Sequence, residues 1–369
     1  MVETSDDARE ATRAQVLAFR HDRHQLGRTG SHDDAAVLDT GVQDTGGPDA
    51  ARWALAQRGR HLDDDATLLA WTLRGAPHAY RRAEAAEVAA AVAPLDDADA
   101  AKRIFDAAKP LREAGITASA ALARVAEELR DLVTAPRPKG EVSSALTARL
   151  PDPYLRWCRP CQATHAYEQT FRLAALQAGL ELVPGTAPAV LRPLAGWDGP
   201  AATVPDHLAV VRGLLRRHGP STPKLVAQEL DAPVRTVKAH WPDDVVPVQV
   251  DGARREVLAD DLDRLLDPPP AEGTRLLGAF DPWLQVRDRE LLVAEAARRQ
   301  ALWPVLGRPG AVLVGGELVG TWRPRSKGAA LQLFVERWDG RTGVPHGVEE
   351  QAEALAAHRG QRFAGFADV

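Results

Sequence analysis

The stretch from Thr222 to Ala259 constrains the fold more than any other part of this chain. Thr222 followed by Pro223 is a helix-start signal, a hydroxyl cap with proline at the first helical position. The helix runs to Leu230, and Asp231-Ala-Pro233 breaks it. Val234–Trp241 restarts as a short helix carrying Arg235, Thr236 and Lys238. Val245–Val250, Asp251-Gly252 and Arg254–Leu258 then read as strand, turn and strand. An Asp-Gly pair between alternating apolar runs is a strong hairpin signal. With the amphipathic helix His207–His218 in front, this is the order of a winged helix-turn-helix, a module that usually lays its second helix in a DNA groove.

Composition limits how DNA could be bound. The chain has 369 residues, 45% hydrophobic and 26% charged, with net charge −5 and pI about 6.1. That length suits two to four folded domains. No apolar run approaches a membrane span, and the acidic start, Met1 to Asp7, lacks a signal-peptide plan. Two cysteines and no export signal suggest a reducing cytoplasm, and the leading expectation is a monomer. The acidic balance argues against a protein that coats DNA by charge alone. Of the 46 basic residues six are lysine; the arginine excess suits bidentate phosphate contacts, and a GC-rich coding bias would produce the same skew.

Two further units precede this one. Helices at Ala11–Gly27 and Ala50–Arg60 flank a turn-rich patch at Asp39–Asp49, and Leu68–Arg74 and Pro77–Arg81 read as a hairpin. Two amphipathic helices between Asp96 and Val133, a short helix Glu141–Leu150 and a helix into strand at His165–Leu182 repeat the plan. Beyond Pro268-Pro-Pro270 a helix at Arg289–Trp303 leads into strands at Ala311–Val314, Glu317–Trp322 and Ala330–Trp338. The expected architecture is mainly α with small β wings, an α+β fold. Three tandem winged-helix units at 8–95, 96–200 and 201–268 are followed by a β-barrel-like part at 274–369.

Gly41-Val-Gln-Asp44, Trp71-Thr-Leu-Arg-Gly75 with His78, Phe280-Asp-Pro-Trp-Leu284 with Arg287-Asp-Arg289, and Gly320-Thr-Trp-Arg323 occur in one order over about 280 residues. As a set they resemble the winged-helix DNA glycosylases that excise alkylated or crosslinked bases. The resemblance implies tandem winged helices curved around duplex DNA, no cofactor, and a catalytic Gln, one residue, then Gln or Asp. With Gln43 in second place the first is Gly41; with Gln43 in first place the second is Thr45. Asp44 is adjacent and could serve as general base while Gln43 orients the water, since a carboxylate can oppose a sugar cation and accept a proton. The loop reading of Asp44 is that it caps the following helix. The enzyme would act on a base pulled out of the duplex, since chemistry inside the stack is sterically blocked.

Candidate DNA contacts are Arg74 and His78; Arg235, Thr236 and Lys238; Arg254 and Arg255 on the wing; and Arg323, Arg325 and Lys327 beside Trp322. The span Asp206–Asp261 holds eight basic and nine acidic residues, whereas Arg275–Lys327 holds nine basic and five acidic, so the C-terminal part is the better endowed. Cys158, Cys161 and His165 follow a Cys-x2-Cys-x3-His pattern, three possible zinc ligands. Glu168 or a distant histidine would have to complete it. The plain reading is a Cys-containing turn, and no metal is expected. Trp157-Cys-x-Pro-Cys161 also copies a thioredoxin-type string without its βαβ surroundings. Non-catalytic DNA binding and a protein-interaction scaffold are the alternatives to a glycosylase.

Overall fold

The computed structural model describes residues 9–47 and 49–367. The acidic N-terminus and Pro48 lie outside the described residues. The fold is mixed α+β, and its C-terminal five-stranded sheet curls into a half-barrel. That sheet runs in the order Thr274–Leu277, Gly310–Val314, Glu317–Lys327, Ala330–Arg337 and Arg362–Phe366. Helix Val348–His358 packs against one face of it through Val348, Ala352 and Leu355.

Three smaller sheets each have three strands. Val42–Gln43, Ala76–Arg81 and Thr67–Thr72 form one; Arg137–Pro138, Val190–Pro193 and Leu180–Leu182 form the second. The third joins Arg9–Ala11 to Val245–Val250 and Ala253–Leu258. Here the starting segment behaves as its residues dictate. Thr222 Oγ1 accepts from the Leu225 N–H at 3.3 Å, and Asp231 closes the helix at φ +56°. Asp251 and Gly252 both take positive φ, the backbone twist a two-residue hairpin turn requires.

The cores do not follow the sequence segments. One apolar cluster joins residues from Ala35 to Leu191, so the first two units share it. Another joins the first helix, Arg13–Arg23, to Val248, Val250 and the Trp283–Trp303 region. The long helix expected at Arg289–Trp303 is two short ones, Arg289–Leu292 and Ala296–Leu302. The strand expected to end at Trp322 continues to Lys327, and the turn expected at Arg325-Ser-Lys-Gly328 is Gly328-Ala329.

The Phe280-Asp-Pro-Trp-Leu284 segment ties the C-terminal part to the helix that ends near Arg58. Both Asp281 oxygens accept from the Arg58 guanidinium at 2.9 Å, and the pair is fully buried. Asp281 also accepts from the Trp283 N–H at 2.9 Å, so its lone pairs are used, which is what makes a buried carboxylate tolerable.

Candidate active site

Gln43 lies on the two-residue strand Val42–Gln43, opposite His78 in the register. Its Nε2 donates to Thr45 Oγ1 at 2.6 Å. Residues two apart on an extended segment share a face, so Gln43 and Thr45 form the polar pair. The Gln43 Oε1 is buried and without a hydrogen-bond partner. Gly41 belongs to the scaffold: it sits at φ +83°, and a Cβ there would lie 2.4 Å from Tyr80 Cζ. No side chain fits at Gly41 without moving the Tyr80 ring.

Asp44 faces away from Gln43, as its neighbour on an extended chain must. Its backbone N–H donates to Pro77 O at 2.8 Å, and its Oδ1 accepts from the Ala51 N–H at 3.0 Å, at the start of helix Ala50–Ala56. It lines a different cleft, with Arg52, Asp64 and Trp71. Pairing Gln43 with Asp44 at one centre is thus corrected: Asp44 is a helix-capping residue. Burial pushes its carboxyl up, partly offset by the Ala51 N–H. Asp44→Ala is expected to lower stability by about 1 kcal/mol, read by chemical denaturation, and to leave base release unchanged; abolished release in a folded variant would return Asp44 to the chemistry.

Gln43 shares a small cavity with Gly41, Arg74, His78, Arg217, Glu229, Phe280 and Gln285. Its volume is about 30 Å³. One water needs roughly 10–15 Å³ on that measure, so the cavity takes water and does not receive a nucleobase. His78 is buried inside it, so it is no phosphate contact. Its Nδ1–H donates to Ala76 O at 2.9 Å, with Thr72 Oγ1 at 3.0 Å, leaving Nε2 as an acceptor. Burial, then the Arg74 charge, pushes His78 down to about 3, so the ring is neutral at physiological pH.

The carboxylate in this cavity is Glu229, from the helix Pro223–Leu230. His218 Nδ1 lies 2.9 Å from its Oε2, and His218 Nε2 donates to Pro282 O at 3.1 Å. Burial opposes the charge, but His218, Arg217 and Arg74 outweigh it and hold the carboxyl below its ordinary range. Arg217 is buried, and its Nε and Nη1 have no partner.

Arg74 is half-buried. It donates to the Glu229 carbonyl and reaches Gln285 Oε1 at 3.4 Å. Arg287, Arg289 and Arg308 gather next to it; Arg308 stacks on Phe280 at 5.0 Å and Arg289 on Trp303 at 4.7 Å. Among the described residues none of these four has a carboxylate within salt-bridge distance. Burial and then mutual repulsion lower Arg74, Arg289 and Arg308, Arg289 to about 10. Asp288, between Arg287 and Arg289, is consumed by Arg20 at 2.7 Å. Arg74 faces the Glu229 and Asp231 charges, and Arg287, Arg289 and Arg308 add a positive field beside the cavity that would attract an anion.

The other expected contacts divide. Arg235 and Lys238 are exposed on helix Val234–Ala239, and Arg254 is exposed on its hairpin. Thr236 is corrected: it is buried and donates to Asp96 Oδ2 at 2.8 Å. Arg255 is corrected too, because it pairs with Asp288. Arg323, Arg325 and Lys327 are exposed on alternate positions of one strand, so they share a face. Trp322 does not stack there; it is buried and donates to Leu277 O at 2.9 Å. Sequence reasoning missed Arg217, Glu229, Arg289 and Arg308. The one available signal was the triplet Arg287-Asp-Arg289, whose central aspartate disguises its positive charge.

A family model described as DNA glycosylase AlkZ-like matches residues 37–358. The chain belongs to the AlkZ-like DNA glycosylase family. A solved structure, Streptomyces sahachiroi DNA glycosylase AlkZ, superposes with a TM-score of 0.73 at 21% identity, over 98% of this chain and 100% of that one. At that identity the likeness shows a shared fold. No curated protein sequence matches the chain. For a member of this family DNA is the substrate, and the AlkZ-like match spans the Gln43 loop, the arginine cluster and most of the half-barrel. No helix among the described residues is long and apolar enough to cross a membrane.

Proposed function

We propose that this AlkZ-like chain is a repair glycosylase that hydrolyses the N-glycosidic bond of alkylated or crosslinked purines in duplex DNA. The observation that carries the reading is the water-sized cavity at Gln43, shared with Glu229 and His78 and bordered by the arginine cluster. A purine alkylated at N7 is cationic and leaves with the bonding electrons as a neutral base, so little acid catalysis is needed. The sugar left behind is positively charged at C1′. Gln43 Oε1 holds the attacking water, the water oxygen bonds to C1′, and the Glu229 charge stabilises the cation. Oxygen bonded to such a cation is strongly acidic, so a weak base suffices, and His78 Nε2 accepts the proton. The base itself stays outside the cavity, which suits lesions too bulky for a closed pocket.

The DNA would lie on three tandem winged-helix units and the half-barrel, as one continuous chain. Sheet order supports this. In two sheets the strand before the helices is followed in space by the last strand and then the middle one: 42–43, 76–81, 67–72, and 137–138, 190–193, 180–182. In the third unit Ser221 bridges Glu256 on the same plan.

Duplex DNA carrying N7-methylguanine is expected to lose the modified base on incubation with the protein, and a chain that binds this duplex without releasing base would overturn the reading for that lesion. Replacing Arg287 and Arg289 together by alanine is expected to weaken binding and to reduce the salt slope by about one for every phosphate those side chains neutralise. An unchanged slope would take the cluster out of the interface.

A further inference from the structure

We infer that Cys158, Cys161 and His165 bind one zinc ion at the tip of a hairpin outside the proposed catalytic cavity. The hairpin is Leu155–Cys158 paired with Ala163–Ala166, inserted between helices Lys139–Arg149 and Glu168–Gln177. Its register sets Cys158 against Ala163 and Arg156 against His165, so His165 and Cys158 are diagonal neighbours on one face. The two sulfurs and a His165 ring nitrogen lie within 4.8 Å of one another. Tetrahedral zinc with sulfur at about 2.3 Å and nitrogen at about 2.0 Å needs ligand atoms roughly 3.3–3.8 Å apart. Closing that gap takes about an ångström of side-chain rotation.

Two details suit a metal rather than chance proximity. His165 Nδ1 donates to Ala166 O at 3.1 Å, which fixes the ring and leaves Nε2 for a ligand, the usual second-layer arrangement of a zinc histidine. Gln162 Nε2 donates to Arg159 O at 2.7 Å and closes the loop between the cysteines. The hairpin also needs a fastening. It has two strands, its tip from Trp157 to Thr164 is largely exposed, and Trp157 is 61% exposed. An isolated two-stranded ribbon is barely stable in water. Glu168 does not complete the site, because it pairs with Lys139 and Arg172; the exposed fourth position falls to water. The thioredoxin-type reading fails on shape, since a strand and no helix follows Cys161. Binding displaces both thiol protons, and the ion fixes the ribbon that presents Trp157.

The test is metal content of the full chain purified from zinc-supplemented medium. About one zinc per chain is expected, falling to background in Cys158→Ser/Cys161→Ser. Cobalt in place of zinc should give thiolate charge-transfer absorption and the visible bands of a tetrahedral site, with His165→Ala weakening both. No bound zinc and no cobalt spectrum would overturn the proposal. So would undiminished zinc in the double variant, or a mass lower by two hydrogens from a Cys158–Cys161 disulfide. Base release is not needed for any of these readings.

Discussion

Gln43→Ala is expected to slow base release from N7-methylguanine duplex by on the order of a hundredfold or more, with DNA affinity and melting temperature close to those of the parent chain. The amide has two ends with different duties. Nε2 is tied to Thr45 Oγ1, which fixes the plane, and Oε1 is a buried acceptor with no partner. Truncation loses the Thr45 hydrogen bond, worth about 0.5–1.5 kcal/mol, a small part of the total stability, while depriving the water of its anchor. Single-turnover kinetics with excess protein separates this from weakened binding. Release within a few-fold of the parent rate would move the water to another residue of the cavity, with Glu229 the first to examine.

The second large effect is on stability in mild acid. Burial pushes His21 down to about 4, His78 to about 3 and His24 well below its ordinary range, the last also through His218 and Arg58. In the unfolded chain all three titrate near 6.5. Folded-state values below the unfolded ones mean the contribution is fully present above pH 6.5 and is lost as pH falls towards 4. Between pH 6 and 5 the unfolded chain binds close to three more protons than the native one. Stability should therefore fall by roughly 3–4 kcal/mol per pH unit, a large part of an ordinary total of about 5–15 kcal/mol. The carboxyls of Asp288 and Glu229 are held low, so they add their loss only below the usual carboxylate range. Denaturant midpoints at pH 7.5, 6 and 5 measure this directly. A flat profile down to pH 5 would mean that these rings are not buried neutral.

Local chemistry made much of the molecule legible in advance. Thr222-Pro223 started a helix, Asp251-Gly252 made a hairpin turn, and Leu68–Arg81 paired as expected, because caps and turns depend on a few adjacent residues. Gln43 stood out through its motif. Asp44 read equally as general base or helix cap, and only the pairing of the strand, which sets the face an extended residue presents, chose between them. Glu229 was invisible for the opposite reason: it is far from Gln43 in the chain, and within its own helix it reads as an ordinary acidic residue. Arg287 and Arg289 entered only as motif residues; that they stand without a carboxylate follows from the fold, which gives Asp288 to Arg20 and Arg255.

The sequence by itself determined most of the elements and the family pattern, since these follow from short-range propensity, capping and motif; it did not show the break in Arg289–Trp303 or the hairpin Leu155–Ala166. Tertiary structure alone decided which polar groups share one small cavity and which charges remain unpaired. Both depend on contacts between residues far apart in the chain, and it is desolvation at those contacts that turns ordinary side chains into a site.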